Sequence, residues 1–128
     1  AAHAETRRID VTVEAADVNI FSYAYYFDKR KMHVDYLKKI KVEVLVGGRK
    51  IKEAVLNNYD TSCEIVTSTD KQGDIKIRLN FDWRDNSGPD KKEYAYTGPG
   101  QKIVLECGGI EELLPGFKYK QLMDPYVK

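Results

Sequence analysis

The first three residues have the clearest potential for metal chemistry. Ala1, Ala2 and His3 provide a free amine, two backbone amides and an imidazole. Four nitrogens in this order can surround Cu(II) or Ni(II) in the square plane that both ions favour. The pattern predicts a copper or nickel site at His3, on the condition that Ala1 is the native N-terminus. The alternative is a tail without metal chemistry, since a histidine at the third position often arises by chance.

Two cysteines, Cys63 and Cys107, both fall in segments that alternate like strands. One disulfide between them is typical of an exported protein, and a pair of free, buried thiols is the alternative. In the loop-entropy model, closing a loop of about 45 residues stabilises the fold by ~4 kcal/mol at most. Residues 2–4, Ala-His-Ala, resemble a signal peptidase site. We therefore expect a secreted, periplasmic or cell-surface protein.

Aromatic residues near the polar loop at 84–92 form a third candidate site. Trp83 lies immediately before that loop, and Tyr94 and Tyr96 follow it. Exposed aromatic rings on a β face can stack on sugar rings. Because loops carry much of protein function, we predict Trp83, Tyr94 and Tyr96 as a candidate glycan-binding surface. Burial of these rings in the core is the alternative.

The remaining side chains do not suggest an enzyme. The chain has 2 histidines and contains neither a Gly-x-Ser-x-Gly motif nor a glycine-rich phosphate loop. The formal net charge of +1 gives no overall field to attract nucleic acid. The apolar stretches are too short to span a membrane. We therefore expect a non-enzymatic protein that acts through a protein partner or through self-association.

Strands are the elements that must position these residues. Residues 9–13, 38–46 and 75–81 alternate apolar and polar side chains, which is the period of a half-buried strand. Residues 50–56 and 62–69 are predicted as further strands. Gly47 and Gly48 predict a tight hairpin, because both central positions of a type I′ turn need positive φ. Turn signals recur roughly every ten residues. The sequence predicts an all-β, antiparallel Greek-key β-sandwich of about seven or eight strands, with a barrel as the nearest alternative.

The 128 residues fit one domain in three parts. Residues 1–18 are predicted as an N-terminal arm with a first strand, residues 19–116 as the sandwich, and residues 117–128 as a tail or edge strand. Residues 19–27 are predicted as a strand rich in aromatic residues, with a helix as the alternative. The arm and the tail each suggest assembly, since either could add a strand to a neighbouring molecule's sheet.

Residues 40–107 resemble a known group of domains. The segment "IKVEVLVGGRKIKEAVL" is similar to the opening hairpin of transthyretin-like, carboxypeptidase-regulatory-like β-sandwich domains, including a small residue, Ala54, in the returning strand. "TSTDKQGDIKIRL" resembles their second hairpin, and "YAYTGPGQKIVLEC" resembles their closing strands. Residues 51–54 depart from the usual Pro-x-x-Gly-Ala. The resemblance implies a sandwich that binds, stiffens or presents other molecules, and it implies no catalytic residue.

Overall fold

A computed structural model describes residues 5–16, 18–21, 24–28, 31–85 and 90–106, with the backbone alone at 18–19, 24–28 and 31–33. In chain order the elements are β1 (Arg7–Ala15), a 3-10 helix (Val18–Phe21), β2 (Ala24–Asp28), β3 (Lys31–Asp35), β4 (Leu37–Val46), β5 (Arg49–Asn57), β6 (Ser62–Thr69), β7 (Ile75–Trp83), β8 (Lys91–Ala95) and β9 (Gln101–Leu105). Within the described ranges, no helix has the length and apolar character needed to cross a membrane.

The strands form two main sheets and one small one. The first sheet has three strands in the order β6-β1-β9, and the second has four in the order β5-β4-β7-β8. Strands β2 and β3 make a separate two-stranded sheet. The predicted all-β sandwich is confirmed.

Alternating burial explains why these sequences fold as two stacked sheets. In β1 every second residue from Ile9 is buried, and the residues between them reach solvent to some extent. Strand β7 repeats the pattern through its whole length. Successive side chains of a strand point to opposite faces, so the apolar set of each sheet meets the other sheet. The fully buried members of the core include Ile9, Val11, Val42, Ile77 and Leu79.

Two glycines make the predicted hairpin between β4 and β5. Gly47 and Gly48 have φ values of 57° and 82°. Positive φ at both central positions is the requirement of a type I′ turn, and glycine meets it without steric cost. The hairpin prediction is therefore confirmed, with the strands extended by one residue beyond the predicted ends.

One strand pair departs from the antiparallel expectation. Strands β1 and β9 run parallel, with Val13 opposite Ile103, and the other described pairs are antiparallel. Parallel neighbours require a crossover rather than a hairpin. Strand β9 satisfies this condition, because the chain reaches it from β8 in the other sheet.

The predicted aromatic strand at residues 19–27 is wrong in its first half. Residues Val18–Phe21 form a 3-10 helix, and the strand begins only at Ala24. Phe21 is buried, and its ring lies 6.2 Å from the ring of Tyr59. Aromatic residues fit a pleated surface, but the same side chains also fill a core from a helical turn, and here packing prevails over propensity.

Half of the predicted N-terminal arm is a paired strand. Strand β1 lies at the centre of its sheet and pairs with β6 on one side and β9 on the other. Residues Arg7–Ala15 are therefore part of the sandwich: β6 pairs with residues 7–14, and β9 pairs with residues 11–15. The predicted tail at residues 117–128 lies outside the described residues, so its role stays a prediction.

Candidate binding edge

The sandwich has two sides at which sheets end. Strands β5 and β6 are the edges on one side, which we call the open side. Strands β8 and β9 are the edges on the other, which we call the closed side. At an edge, alternate residues direct their N–H and C=O groups away from the sheet, where another strand can pair with them.

Hydrogen-bond parity identifies the outward groups of β6. The N–H of Ala15 donates to the carbonyl of Thr61 at 2.8 Å, just where β1 and β6 begin to pair. In an antiparallel ladder, residues alternate between facing the partner strand and facing away. The β6 residues whose backbone groups face away from β1 are therefore Ser62, Glu64, Val66 and Ser68, and all of them are exposed.

The same reasoning identifies the outward groups of β5. The N–H of Tyr96 donates to the carbonyl of Ile75 at 3.0 Å, which sets the alternation across the four-stranded sheet. Of the outward residues of β5, Asn57 is already paired: its N–H donates to Asp60 Oδ2 at 2.8 Å, and its carbonyl accepts from the N–H of Asp60 at 2.9 Å. The other outward residues between the register shift at Ile51 and Asn57 are Glu53 and Val55.

A polar cleft of about 550 Å³ opens between the start of β5 and the end of β6. Its lining residues are Thr6, Lys50, Ile51, Thr67, Ser68, Thr69, Asp70 and Lys71. Three residues of these two strands pack on the core and stay partly exposed, namely Ile51, Ala54 and Cys63. The cleft thus gives access to a β6 edge and to an incompletely covered part of the core.

The two edges of the open side differ in their charges. Strand β5 begins Arg-Lys-Ile-Lys-Glu, and its Lys50 Nζ lies 3.1 Å from Glu53 and 3.7 Å from Glu43. The hydrogen bond to Glu53 raises the pKa of Lys50 and lowers the pKa of Glu53, so both stay charged at neutral pH. Charged side chains, lysine above all, discourage a second strand from pairing with an edge.

Strand β6 has no such protection. Its sequence, Ser-Cys-Glu-Ile-Val-Thr-Ser-Thr, holds one charged residue, no lysine and no proline. Val66, in the middle of the strand, is 46% exposed. An exposed edge strand with high β propensity and little charge is a template for strand addition. The edge of β6 is therefore the best candidate for a binding site in the described part of the chain.

On the closed side, two side chains occupy some of the backbone groups that the strands leave free. The Tyr96 hydroxyl accepts from the N–H of Asp10 at 2.8 Å and donates to the carbonyl of Arg8 at 3.2 Å. The Gln101 side chain accepts from the N–H of Thr97 at 2.9 Å and donates to the carbonyl of Ala95 at 3.2 Å. These four bonds close the ends of β1 and β8 beyond the short strand β9.

The predicted aromatic surface is wrong for its main member. Trp83 is the last residue of β7, shares the core-facing parity of that strand, and is 4% exposed. Its ring therefore offers no face for stacking on a sugar. Tyr94 and Tyr96 are half-buried against the core, with the Nζ of Lys92 lying 5.3 Å from the centre of the Tyr94 ring. The glycan-binding hypothesis loses its central residue.

Cys63 is half-buried in β6, opposite Val13, and forms no disulfide with any described residue. Burial raises the pKa of this thiol, and the nearby carboxylate of Asp60 raises it further. The thiol thus stays protonated and weakly nucleophilic at neutral pH. Strand β1 separates Cys63 from β9, which leads toward Cys107. Because Cys107 lies outside the described residues, the disulfide between them stays a prediction.

The predicted copper or nickel ligand, His3, also lies outside the described residues and stays a prediction. Across residues 5–16, 18–21, 24–28, 31–85 and 90–106, the structure brings together no group of three metal-ligating side chains.

Comparison with known proteins does not assign the chain. No protein family, no curated protein and no solved structure matches it significantly.

Proposed function

We propose that this protein is an exported, non-enzymatic β-sandwich that serves as a structural, adhesion-type or binding subunit. It binds an extended segment of a protein by strand addition at the edge of β6. The exposed, unprotected row of outward backbone groups at Glu64, Val66 and Ser68 carries the proposal. The cysteine pair and the Ala-His-Ala sequence support export, and the resemblance to transthyretin-like domains supports a binding role.

Strand addition provides affinity mainly through the backbone. An added strand pairs its own N–H and C=O groups with the outward groups of β6, and each such bond contributes about 0.5–1.5 kcal/mol net. Because side chains alternate along the added strand, one set faces the outer surface and the other faces the cleft.

The surroundings of β6 define the sequence that would fit. On the outer face, Glu64, Val66 and Ser68 are the neighbours of the added strand. A β-branched or aromatic residue opposite Val66, next to a basic or hydroxyl residue opposite Glu64, gives favourable cross-strand pairs. On the inner face, a small or apolar side chain would cover the partly exposed Ile51 and Ala54. The expected ligand therefore alternates apolar residues with polar or basic ones.

A peptide selection with two matched proline variants tests the proposal. Octapeptides are selected from a random library on the full chain, and their affinities are measured for Val66→Pro and Val104→Pro. Val66 and Val104 are 46% and 48% exposed. Both N–H groups point away from β1, so proline removes a donor that the fold does not use in either strand.

We expect the Val66→Pro variant to weaken binding of the selected peptides at least tenfold, and the Val104→Pro variant to leave it unchanged. Circular dichroism and urea unfolding of both variants establish that the sandwich persists. Selected peptides that bind Val66→Pro as tightly as the unmodified chain would refute the proposal.

A further inference from the structure

We infer that the strand added to β6 is β6 of a second copy of this chain. This inference rests on the proposed function and names its partner. Two copies related by a two-fold axis pair their β6 strands antiparallel, with Val66 of one copy opposite Val66 of the other. The two three-stranded sheets then join into one continuous sheet across the dimer.

Backbone parity restricts the registers that such a dimer can adopt. The outward residues of β6 all have even numbers, so hydrogen-bonded pairs between copies must join even residues to even residues. Four two-fold registers place the axis within the middle of the strand, at Glu64, Ile65, Val66 or Thr67. They differ in what lies opposite Glu64.

Charge selects among these registers. With the axis at Glu64, two carboxylates are directly opposite each other, and with the axis at Thr67, Glu64 is opposite Asp70 of the other copy. Like charges in direct cross-strand contact are destabilising. With the axis at Ile65, Glu64 is opposite the apolar Val66.

Placing the axis at Val66 makes the edge complementary to itself. The two exposed valines then face each other, and each Glu64 is opposite Ser68 of the other copy, whose hydroxyl can donate to the carboxylate. Arg8 pairs with Ser68 in the register between β1 and β6, so it lies in the same row across the sheet. Its side chain is 64% exposed, and its guanidinium is 3.6 Å from Asp10. The guanidinium can therefore turn toward Glu64 of the second copy.

The row of Arg8 and Ser68 from one copy and Glu64 from the other occurs twice in the dimer, once in each half. It gives the second copy contacts that an arbitrary peptide lacks. Each half of the interface joins an arginine, a serine and a glutamate in line across three strands, and the apolar pair lies on the axis. An isologous interface of this kind closes at two subunits, because each β6 edge is paired with the β6 edge of the other copy and is not available to a third. The inference thus predicts a dimer rather than a filament through this edge.

Disulfide trapping reads the register directly. In a background with Cys63→Ala and Cys107→Ala, single cysteines are placed by Val66→Cys, Glu64→Cys, Ser68→Cys and Val104→Cys. Directly opposite residues of a hydrogen-bonded pair have Cα atoms about 5.5 Å apart, within the roughly 4.4–6.8 Å that a disulfide spans. Val104→Cys is the control, because its exposure matches that of Val66.

We expect Val66→Cys to give at least tenfold more disulfide-linked dimer than Val104→Cys under the same mild oxidation. Glu64→Cys and Ser68→Cys should crosslink when mixed, and each should crosslink poorly alone. Equal crosslinking by Val66→Cys and Val104→Cys would overturn the inference, and so would a dominant Glu64→Cys homodimer. The Val66→Cys chain is also tested with residues 107–128 deleted. If it crosslinks only after that deletion, the inference fails for the full chain.

Sedimentation velocity provides a measurement that needs no cysteine. The unmodified chain should show a monomer–dimer equilibrium that depends on concentration, and Val66→Lys should abolish the dimer while keeping the fold. A monomer over the whole concentration range would refute the second copy as partner. Loss of peptide binding in Val66→Pro, together with a monomeric chain, would leave strand addition intact and exclude only self-pairing, so the two proposals fail separately.

Discussion

The open and closed sides of the sandwich differ in how far the unpaired backbone groups of their edge strands are covered. Both end in edge strands with unpaired backbone groups. On the closed side the edge strands β8 and β9 have five residues each, and two side chains pair some of the outward groups, those of Arg8 and Asp10 in β1 and of Ala95 and Thr97 at the end of β8. On the open side β5 and β6 have nine and eight residues, and β6 leaves its outward groups exposed. Short edges with side-chain partners are typical of surfaces that avoid association, and long bare ones favour it.

The bare edge of β6 is therefore a feature of this strand and not a general property of the fold. The chain provides a hydroxyl and an amide at the right positions on one side. It also places Lys91 and Lys92 at the start of β8. Since the same sandwich protects one side this well, the unprotected edge on the other side supports a binding role.

The largest effect should come from Gly73, which fixes one end of the open side. A Cβ atom at this position would lie 2.9 Å from the Cα and 3.0 Å from the N of Gly47, and the φ of Gly73 is +120°. The N–H of Gly47 also donates to the carbonyl of Asp74 at 3.0 Å. Gly73→Ala should lower the free energy of unfolding by about 3 kcal/mol, because clash and backbone strain add.

Gly98 on the closed side is the matched control for Gly73. Its φ is +124°, and a Cβ atom there would meet no atom within 4 Å. Gly98→Ala should therefore show the strain alone, about 1 kcal/mol in urea unfolding. Equal losses in the two variants would mean that the contact between Gly73 and Gly47 does not hold the end of the open side.

The next effect should come from the hydroxyl of Tyr96 on the closed side. Tyr96→Phe removes the partner of the Asp10 N–H and the Arg8 carbonyl at once. Leaving partly buried backbone groups without partners should cost about 2 kcal/mol in the free energy of unfolding. Tyr94→Phe is the control, because the described part of the chain offers its hydroxyl no hydrogen bond. A similar loss in both variants would show that the effect comes from removing any tyrosine hydroxyl and not from the bonds to Asp10 and Arg8.

Much of the fold could be predicted from the sequence because the core strands carry a strong period-two signal. Strands β4, β6 and β7 lie within two residues of their predicted positions, and the Gly47–Gly48 turn has the predicted backbone. The strand β3 was missed because the alternation in residues 31–35, Lys-Met-His-Val-Asp, covers only five residues and begins within a run of basic residues. The parallel pairing of β1 with β9 depends on contacts distant in sequence, which a local pattern does not contain.

The candidate site was harder to predict, since an edge is a property of sheet order. Residues 62–69 were predicted as a strand, and their low charge was visible in the sequence. Nothing in those residues says that one side of the strand has no neighbouring strand among the residues that the structure describes. Trp83 shows the opposite error: its place before a loop suggested exposure, but its parity with Ile77 and Leu79 in β7 already favoured burial.

The smallest effect, and the most direct test of the contrast between the two sides, should come from Gln101. Gln101→Ala frees the N–H of Thr97 and the carbonyl of Ala95, and both then resemble the outward groups of β6. Because these groups can reach water, the free energy of unfolding should fall by only about 1 kcal/mol. At protein concentrations low enough to keep the chain monomeric, amide hydrogen exchange at Thr97 should accelerate toward the rate at Val66, whereas Gln72→Ala, in the exposed turn before β7, should change neither rate. If the Thr97 amide exchanges as fast in the unmodified chain as in Gln101→Ala, the glutamine does not protect this edge, and the closed side is no better covered than the open one.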